Sequence, residues 1–276
     1  MLFPESLLSG FEGRLTAALE LARSAGDLTL EYFQTDRYAI ERKGDDSPVT
    51  IADRNAEQWV RSRLAELFPS DAILGEEFGS QPGSTEFEWI VDPIDGTKSF
   101  IAGVPMYSTL LALVHRGEVL AGAIYIPPLH EMIFAVRGRG AWWSIGEQSA
   151  QRAQVSQRDL AHGIFVTTQL DSFRKRDAWD GFATVEKSAY VTRTWGDGYG
   201  YLLVATGRAE VMVDPIANPW DLASAQIVVR EAGGKFTSWQ GIDSFAEGDG
   251  VGSNGMVHDQ VLSALANNGK PEAVSR

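Results

Sequence analysis

The chain has 276 residues, 24 of them basic and 37 acidic, for a formal net charge of −13. That excess argues against nucleic acid or an anionic membrane as a partner, since little basic surface is left to neutralise phosphates; a small phosphorylated substrate stays open, because divalent cations can invert a local charge. With no cysteine, disulfides, thiolate zinc sites and cysteine nucleophiles are excluded, and a length of 276 residues accommodates one large or two modest packed domains.

The start, Met1-Leu-Phe-Pro-Glu5, has no basic stretch leading into an apolar one, so no secretory leader is expected. Leu7, Phe11, Leu15, Ala18, Leu19 and Ala22 recur at helical spacing and predict a helix from about Leu7 to Phe33, with Gly26 as a weak point. Lys43–Pro48 reads as a polar loop. A second helix is predicted from about Ala52 to Phe68, stopped by Pro69, with Asp53 in its first turn near the positive end of the helix dipole. Leu74–Glu77 is a short loop after a brief apolar piece. From Trp89 to Trp143 the pattern is mostly strand-like: Trp89–Val91, Ser108–His115, Val119–Ile126 and Glu131–Ala135 are separated by turn signals and imply an antiparallel meander. The apolar runs around Thr109–Val114 and Val119–Leu129 are too short for a membrane span, and a cytoplasmic protein is expected.

The polar stretch Gly146–Asp159 is the expected domain boundary, dividing the chain into residues 1–147 and 148–276. Beyond it, Ile164–Thr168 and Ala209–Val213 read as strands. Tyr199–Thr206 and Trp220–Ala232 read as helices ended by Gly207 and Gly233-Gly234, and a last strand and helix close the chain. Helices mixed with antiparallel strands in this way favour α+β layers over a doubly wound parallel sheet.

The most informative segment is Glu88-Trp-Ile-Val-Asp92-Pro-Ile-Asp95-Gly-Thr97-Lys-Ser-Phe100. A strand that ends in two aspartates, with Pro93 and Gly96-Thr97 shaping the turn, can aim hard oxygen ligands at one point beside backbone N–H groups. The oxygens suit Mg²⁺ and the N–H groups a phosphate oxyanion. Asp53, Glu76-Glu77 and Asp221 also fall at predicted element ends, where several carboxylates can converge to hold metals and activate a water. Singly, each has a plainer explanation: Asp92-Pro-Ile-Asp-Gly as an ordinary turn, Asp53 and Asp221 as helix-start residues, Glu76-Glu77 as solvated surface. Jointly they point to metal-assisted phosphate chemistry. Gly250-Val-Gly-Ser-Asn-Gly255 has the letters of a dinucleotide fingerprint, but only 21 residues follow it, too few for the rest of the unit. The four histidines lack zinc-enzyme spacing, and neither a Gly-x-Ser-x-Gly elbow nor a Walker loop is present.

Together Asp92-Pro-Ile-Asp-Gly-Thr97, Gly75-Glu-Glu77 and Trp220-Asp-Leu-Ala-Ser-Ala-Gln-Ile-Val-Val-Arg-Glu-Ala-Gly-Gly234 resemble the signatures of the inositol monophosphatase family, and their order and spacing fit over nearly the whole chain. The resemblance implies a layered αβαβα fold of two sub-domains with a Mg²⁺ site between them. It implies that Glu76, Asp92 and the Ile94 carbonyl hold one metal, that Asp92, Asp95 and Asp221 hold a second, and that a weaker third site lies near Glu76. By the same resemblance Thr97 and Asp53 orient and deprotonate the attacking water, N–H groups of Gly96 and Thr97 hold phosphate oxygens, and Lys43 assists electrostatically. One departure, Ala223-Ser-Ala225 where small residues with glycine are usual, keeps small side chains and is expected to cost nothing. A homodimer or higher homo-oligomer is also implied.

Within the family, Trp195-Gly-Asp-Gly-Tyr-Gly-Tyr201, Gly207–Pro215, Asn218–Asp221 and the run Asp92–Pro105 look like the histidinol-phosphatase branch. Histidinol carries an ammonium and an imidazole, which call for acceptors or negative charge. Asp197 and Asp214 supply charge, and Asn218 supplies a hydrogen-bonding amide. The competing roles are an N-cap for Asp197 and a turn residue for Asn218; Asp214 alone does not discriminate, since inositol enzymes carry an acid there. Tyr199 would fill room that a polyol needs. Only Arg193 and Arg208 are basic within 190–221, so bisphosphates rank below. The alternatives are an inositol-1-monophosphatase or broad small-molecule phosphatase and, more remotely, a non-catalytic relative that binds a phosphorylated metabolite.

Overall fold

The computed structural model describes residues 11–35, 40–42 and 48–266. A short turn at Phe11–Gly13 leads into helix α1 (Arg14–Thr29), so the first helix is shorter than expected, and its expected opening residues before Phe11 lie outside the described residues. Helix α1 continues through Gly26 without a break. A Cβ there would fall 2.5 Å from Cδ1 of Tyr125, so the missing side chain is what lets the helix lie close to that ring. The short strands β1 (Ile40–Arg42) and β2 (Pro48–Thr50) precede α2 (Ile51–Leu67).

Strands β3 (Ala72–Gly75), β4 (Gly79–Gln81) and β5 (Phe87–Asp95) then lead to the short helix α3 (Thr97–Ile101). The expected meander follows as β6 (Ser108–His115), β7 (Glu118–Ile126), β8 (Glu131–Val136), β9 (Gly140–Ile145) and the two-residue β10 (Gln151–Arg152), each antiparallel to the one before. These strands form one sheet in the order β10-β9-β8-β7-β6-β5-β3-β4. Its only parallel pair among the described residues is β3 with β5. The stretch Gly146–Asp159 contains β10 and also Ala153 and Val155, both buried in a core shared by the two halves of the chain.

The second sheet has the order β12-β11-β13-β15-β14, built from β11 (Ile164–Thr167), β12 (Val191–Arg193), β13 (Val211–Asp214), β14 (Lys235–Thr237) and β15 (Gly250–Ser253). Strand β11 runs parallel to both β12 and β13, whereas β15 is antiparallel to both of its neighbours. Its helices are α4 (Leu170–Lys175), α5 (Trp179–Ser188), α6 (Gly198–Ala205), α7 (Pro219–Glu231) and α8 (His258–Ala266). The sequence reading did not separate α4, α5 and β12 from their polar surroundings.

Strand alternation explains the layers. On the large sheet Trp89, Val91, Leu111 and Leu113 point to one face and pack with Leu15 and Leu19 of α1 and Val60 and Leu64 of α2. Ile90, Leu110 and Ala112 point to the other and pack with Leu222, Val228 and Val229 of α7. Val166 and Met212 of the small sheet join that same central core. Phe165, Val211 and Val213 face outward onto Phe182 of α5 and Val261 and Leu265 of α8. The result is an α+β sandwich in five layers, αβαβα, with α6 and α7 between the sheets. Each fully buried aliphatic or phenyl side chain in these layers contributes about 1.5–3 kcal/mol. Among the described residues, no helix is long and apolar enough to cross a membrane.

Candidate active site

The parallel pairing of β3 with β5 sets Gly75 opposite Val91, and the N–H of Glu76 donates to the Val91 carbonyl at 3.2 Å. The next residue on each strand is an acid, so Glu76 comes beside Asp92. That neighbour is one cause of the raised pKa of Asp92.

Asp92 and Asp95 sit within β5 itself rather than in a turn after it. Residues three apart on a strand normally face opposite sides. Here Asp92 pairs with Leu110 and Asp95 with Ser108, so three steps on β5 face two on β6. This one-residue bulge brings both carboxylates to the side facing α6 and α7. Ile94 is turned the other way, into a cluster with Ala52, Phe100 and Tyr107. The bulge is held by Ile94 N–H donating to Asp92 Oδ1 at 3.1 Å and by Thr109 Oγ1 donating to the Pro93 carbonyl at 2.8 Å.

The third acid comes from the facing helix. Asp221 is in the first turn of α7, and its Oδ2 accepts the N–H of Asn218 at 2.7 Å, closing the turn on itself. Carboxylate oxygens of Asp92, Asp95 and Asp221 lie within 4.8 Å of one another. Burial, and then repulsion from neighbouring acids, Glu76 first for Asp92 and Asp197 first for Asp95, raises the pKa of both well above the carboxylate range. Asp221 is pushed up to about 7, first by burial and then by Glu76 and Asp197. Such a set is unfavourable alone and matches the all-oxygen donors that a hard divalent cation requires.

Asp53 is the third residue of α2. Its Oδ2 accepts from the Thr50 N–H at 2.8 Å and from Thr50 Oγ1 at 2.6 Å, and burial raises its pKa to about 6. Thr97 opens α3, and its hydroxyl donates to the Ile94 carbonyl at 3.2 Å. The structure thus engages Asp53 with Thr50, and Thr97 with Ile94. Gly96 holds φ at +85°, and a Cβ there would fall 2.7 Å from Asp197 Oδ2. Lys43 lies outside the described residues.

Asp197 has φ 58° and ψ −158°, a region essentially reserved for glycine. It occupies the cap position of α6, yet its side chain makes no cap hydrogen bond. Its pKa is pushed up to about 6 by burial, with Lys98 pulling the other way. The α6 N-terminus is instead satisfied by Asp95, whose Oδ2 accepts the Gly198 N–H and the Ser108 hydroxyl, the latter at 2.6 Å. Asp214 ends β13, and burial pushes its pKa up to about 8. Asn218 is exposed at the start of α7.

A cleft of about 540 Å³ is bordered by Glu76, Thr97, Lys98, Asp197, Ile216 and Asn218. A smaller hollow of about 70 Å³ lies among Asp95, Asp197, Asp214 and Asp221. Lys98, which bonds Gln169 across the cleft mouth, is a residue to which the sequence reading gave no role. Its signal was its position directly after Thr97, but only the fold brings it beside Asp197.

A layered αβαβα protein with carboxylates converging from β5 and α7, beside an open cleft, is a metal-dependent phosphomonoesterase in architecture. Residues 12–270 match the model of the inositol monophosphatase family, and the chain belongs to that family. It is 39% identical over 254 residues to a histidinol-phosphatase of Chlorobaculum parvum, covering 92% of this chain and 96% of that one. It is also 39% identical to a histidinol-phosphatase of Mycobacterium tuberculosis, covering 91% and 97%. Among solved structures, the suhB protein of Bartonella henselae superposes with a TM-score of 0.84 at 26% identity, over 92% of this chain and 98% of that chain. The IMPase of Thermotoga maritima does so at 0.80 and 31% identity, over 92% and 96%.

Proposed function

We propose that this chain hydrolyses L-histidinol phosphate to L-histidinol and phosphate, using two Mg²⁺ ions with a weaker third. The observation that carries the substrate is the match to histidinol-phosphatases at 39% identity along nearly the full chain. The cleft agrees with it: Asp197 offers negative charge to an ammonium or an imidazole and Asn218 lines the same cleft, while Asp214, its pKa raised to about 8, offers a carboxyl group in the hollow that shares Asp197.

Glu76, Asp92 and the Ile94 carbonyl would hold one metal, and Asp92, Asp95 and Asp221 the other. Bound there, Mg²⁺ supplies Lewis-acid polarisation of phosphoryl oxygens and a water of lowered pKa. Asp53 then takes the proton of the attacking water, for which a pKa near 6 suits a base working at neutral pH. Thr97 orients that water through its hydroxyl, while N–H groups of Gly96 and Thr97, at the start of α3, bind phosphate oxygens. Lys43 would add positive charge. Residues 1–147 would then carry most metal ligands and residues 148–276 would add Asp221 and the specificity groups. A cytoplasmic location and a homodimer or larger homo-oligomer belong to the same proposal.

The test is phosphate release with Mg²⁺ from L-histidinol phosphate, inositol 1-phosphate, 3′-phosphoadenosine 5′-phosphate and fructose 1,6-bisphosphate. Histidinol phosphate is expected to lead in kcat/KM. A tenfold preference for inositol phosphate would sink this substrate, and activity undiminished by EDTA would sink the metal mechanism.

A further inference from the structure

Glu57 is a fully buried carboxylate that the chemistry above leaves unused, 0% exposed and one helical turn after Asp53 on α2. Burying a carboxylate is costly unless it is paired and hydrogen-bonded. Glu57 meets that requirement through one loop. Its Oε2 accepts the N–H of Glu77 at 2.7 Å, and its Oε1 accepts the N–H of Phe78 at 3.2 Å.

Arg61, a turn further along α2, completes the grip. Its Nε donates to Glu57 Oε1 at 2.8 Å, and its other arm donates to the Gly79 carbonyl at 2.5 Å. On the near side of the loop the carboxylate lies against Gly75, where any Cβ would collide with it. Gly75, Glu77, Phe78 and Gly79 are therefore all held from α2, and they flank Glu76 on both sides. The N–H of Glu76 is fixed in turn to Val91, beside Asp92.

We propose that Glu57, braced by Arg61, is a positioning residue for Glu76 that sets how tightly the site holds its cation. This rests on the assignment above of Glu76 and Asp92 as metal ligands. Glu57 does not touch the reacting atoms. Its charge-assisted bonds to backbone N–H groups determine where the Glu76 carboxylate sits before a cation arrives, so the entropy of ordering that loop is already spent. A side chain that merely stabilised the fold would change melting temperature without changing cation affinity.

The test titrates metal-free full-length protein with Mg²⁺ in a calorimeter and separately measures phosphate release against Mg²⁺ concentration. In Glu57→Gln the amide group is forced to face either an N–H or Arg61, both donors. Mg²⁺ binding is expected to weaken roughly 10- to 100-fold, the usual range for loss of a group that orients a ligand, while kcat at saturating metal stays within about threefold. Arg61→Lys, which leaves the buried carboxylate in place, is expected to fold readily and weaken binding in the same direction by less. Wild-type Mg²⁺ affinity in the variants, or a fall in kcat at saturation with affinity unchanged, overturns the proposal. Asp92→Asn separates the two levels: it is expected to abolish the calorimetric signal. If it binds Mg²⁺ normally, the ligand assignment itself falls, and this inference with it.

Discussion

Replacing Asp197 by glycine should make the protein more stable and a worse enzyme. The side chain sits at φ 58° and ψ −158°, which costs a non-glycine residue about 1–3 kcal/mol. Burial also raises its pKa from 3.8 to about 6 in the metal-free protein, so ionisation at neutral pH adds a further unfavourable contribution of about 3 kcal/mol at most. Against these stands the greater freedom of glycine in the unfolded chain, about 0.5–1 kcal/mol. A net gain of about 2 kcal/mol corresponds to a rise in melting temperature of roughly 4 °C for a chain of this size. The sign with pH follows from the raised folded-state value of an acid. The penalty is fully present above about 6 and vanishes below 3.8, so the advantage of Asp197→Gly should shrink as pH falls through that window. Calorimetric melting of metal-free wild type and variant at several pH values measures it. In parallel, kcat/KM for L-histidinol phosphate should fall at least about tenfold, matching loss of a charge-assisted hydrogen bond, while a neutral alcohol's monoester is little affected. A variant that is less stable at neutral pH, or that loses both substrates equally, refutes the reasoning.

Two further outcomes follow from the geometry. Gly96→Ala should both strain the +85° backbone and push against Asp197, costing about 1–3 kcal/mol in stability and most of the activity; a variant with wild-type kcat would show that neither matters. Because burial raises the Asp53 pKa to about 6, the ionised base is lost as pH falls through that value, so kcat/KM should decline on the acid side. Asp53→Asn should abolish that limb and lower kcat about 10²–10⁴-fold, as a pH–rate profile would reveal.

Much of the site was legible because its acids sit where element ends leave a mark in sequence. The first-turn position of Asp53, the helix start at Trp220 before Asp221 and the strand leading to Asp92 were each readable locally, and the meander declared itself by alternation. What was not legible depended on distance. Lys98 and Gln169 lie 71 residues apart and meet only across the cleft. Asp197 read as a ligand contact with a helix cap as the competing role; it occupies the cap position without a cap bond, and the carboxylate that accepts the Gly198 N–H there is Asp95 from the other sheet. The short α4 and the α5 helix hid in a polar stretch, since only one face of each is apolar.

The extra residue between Asp92 and Asp95 carries a last consequence. Substituting Ile94 leaves the count of residues unchanged, and its side chain faces a small core away from the acids. Deleting one residue there would restore perfect pairing with β6, and by the ordinary preference of sheets that is a local improvement. Asp95, then two positions after Asp92, would still face α6 and α7; what would be lost is the extra stretch of main chain from which the Ile94 N–H returns to Asp92 Oδ1 and the Ile94 side chain reaches Ala52, Phe100 and Tyr107. Compared with a strand shortened by one residue, the bulge therefore shapes the main chain between the two acids rather than deciding which way they face, and the shortened strand would keep every acid while losing that shape.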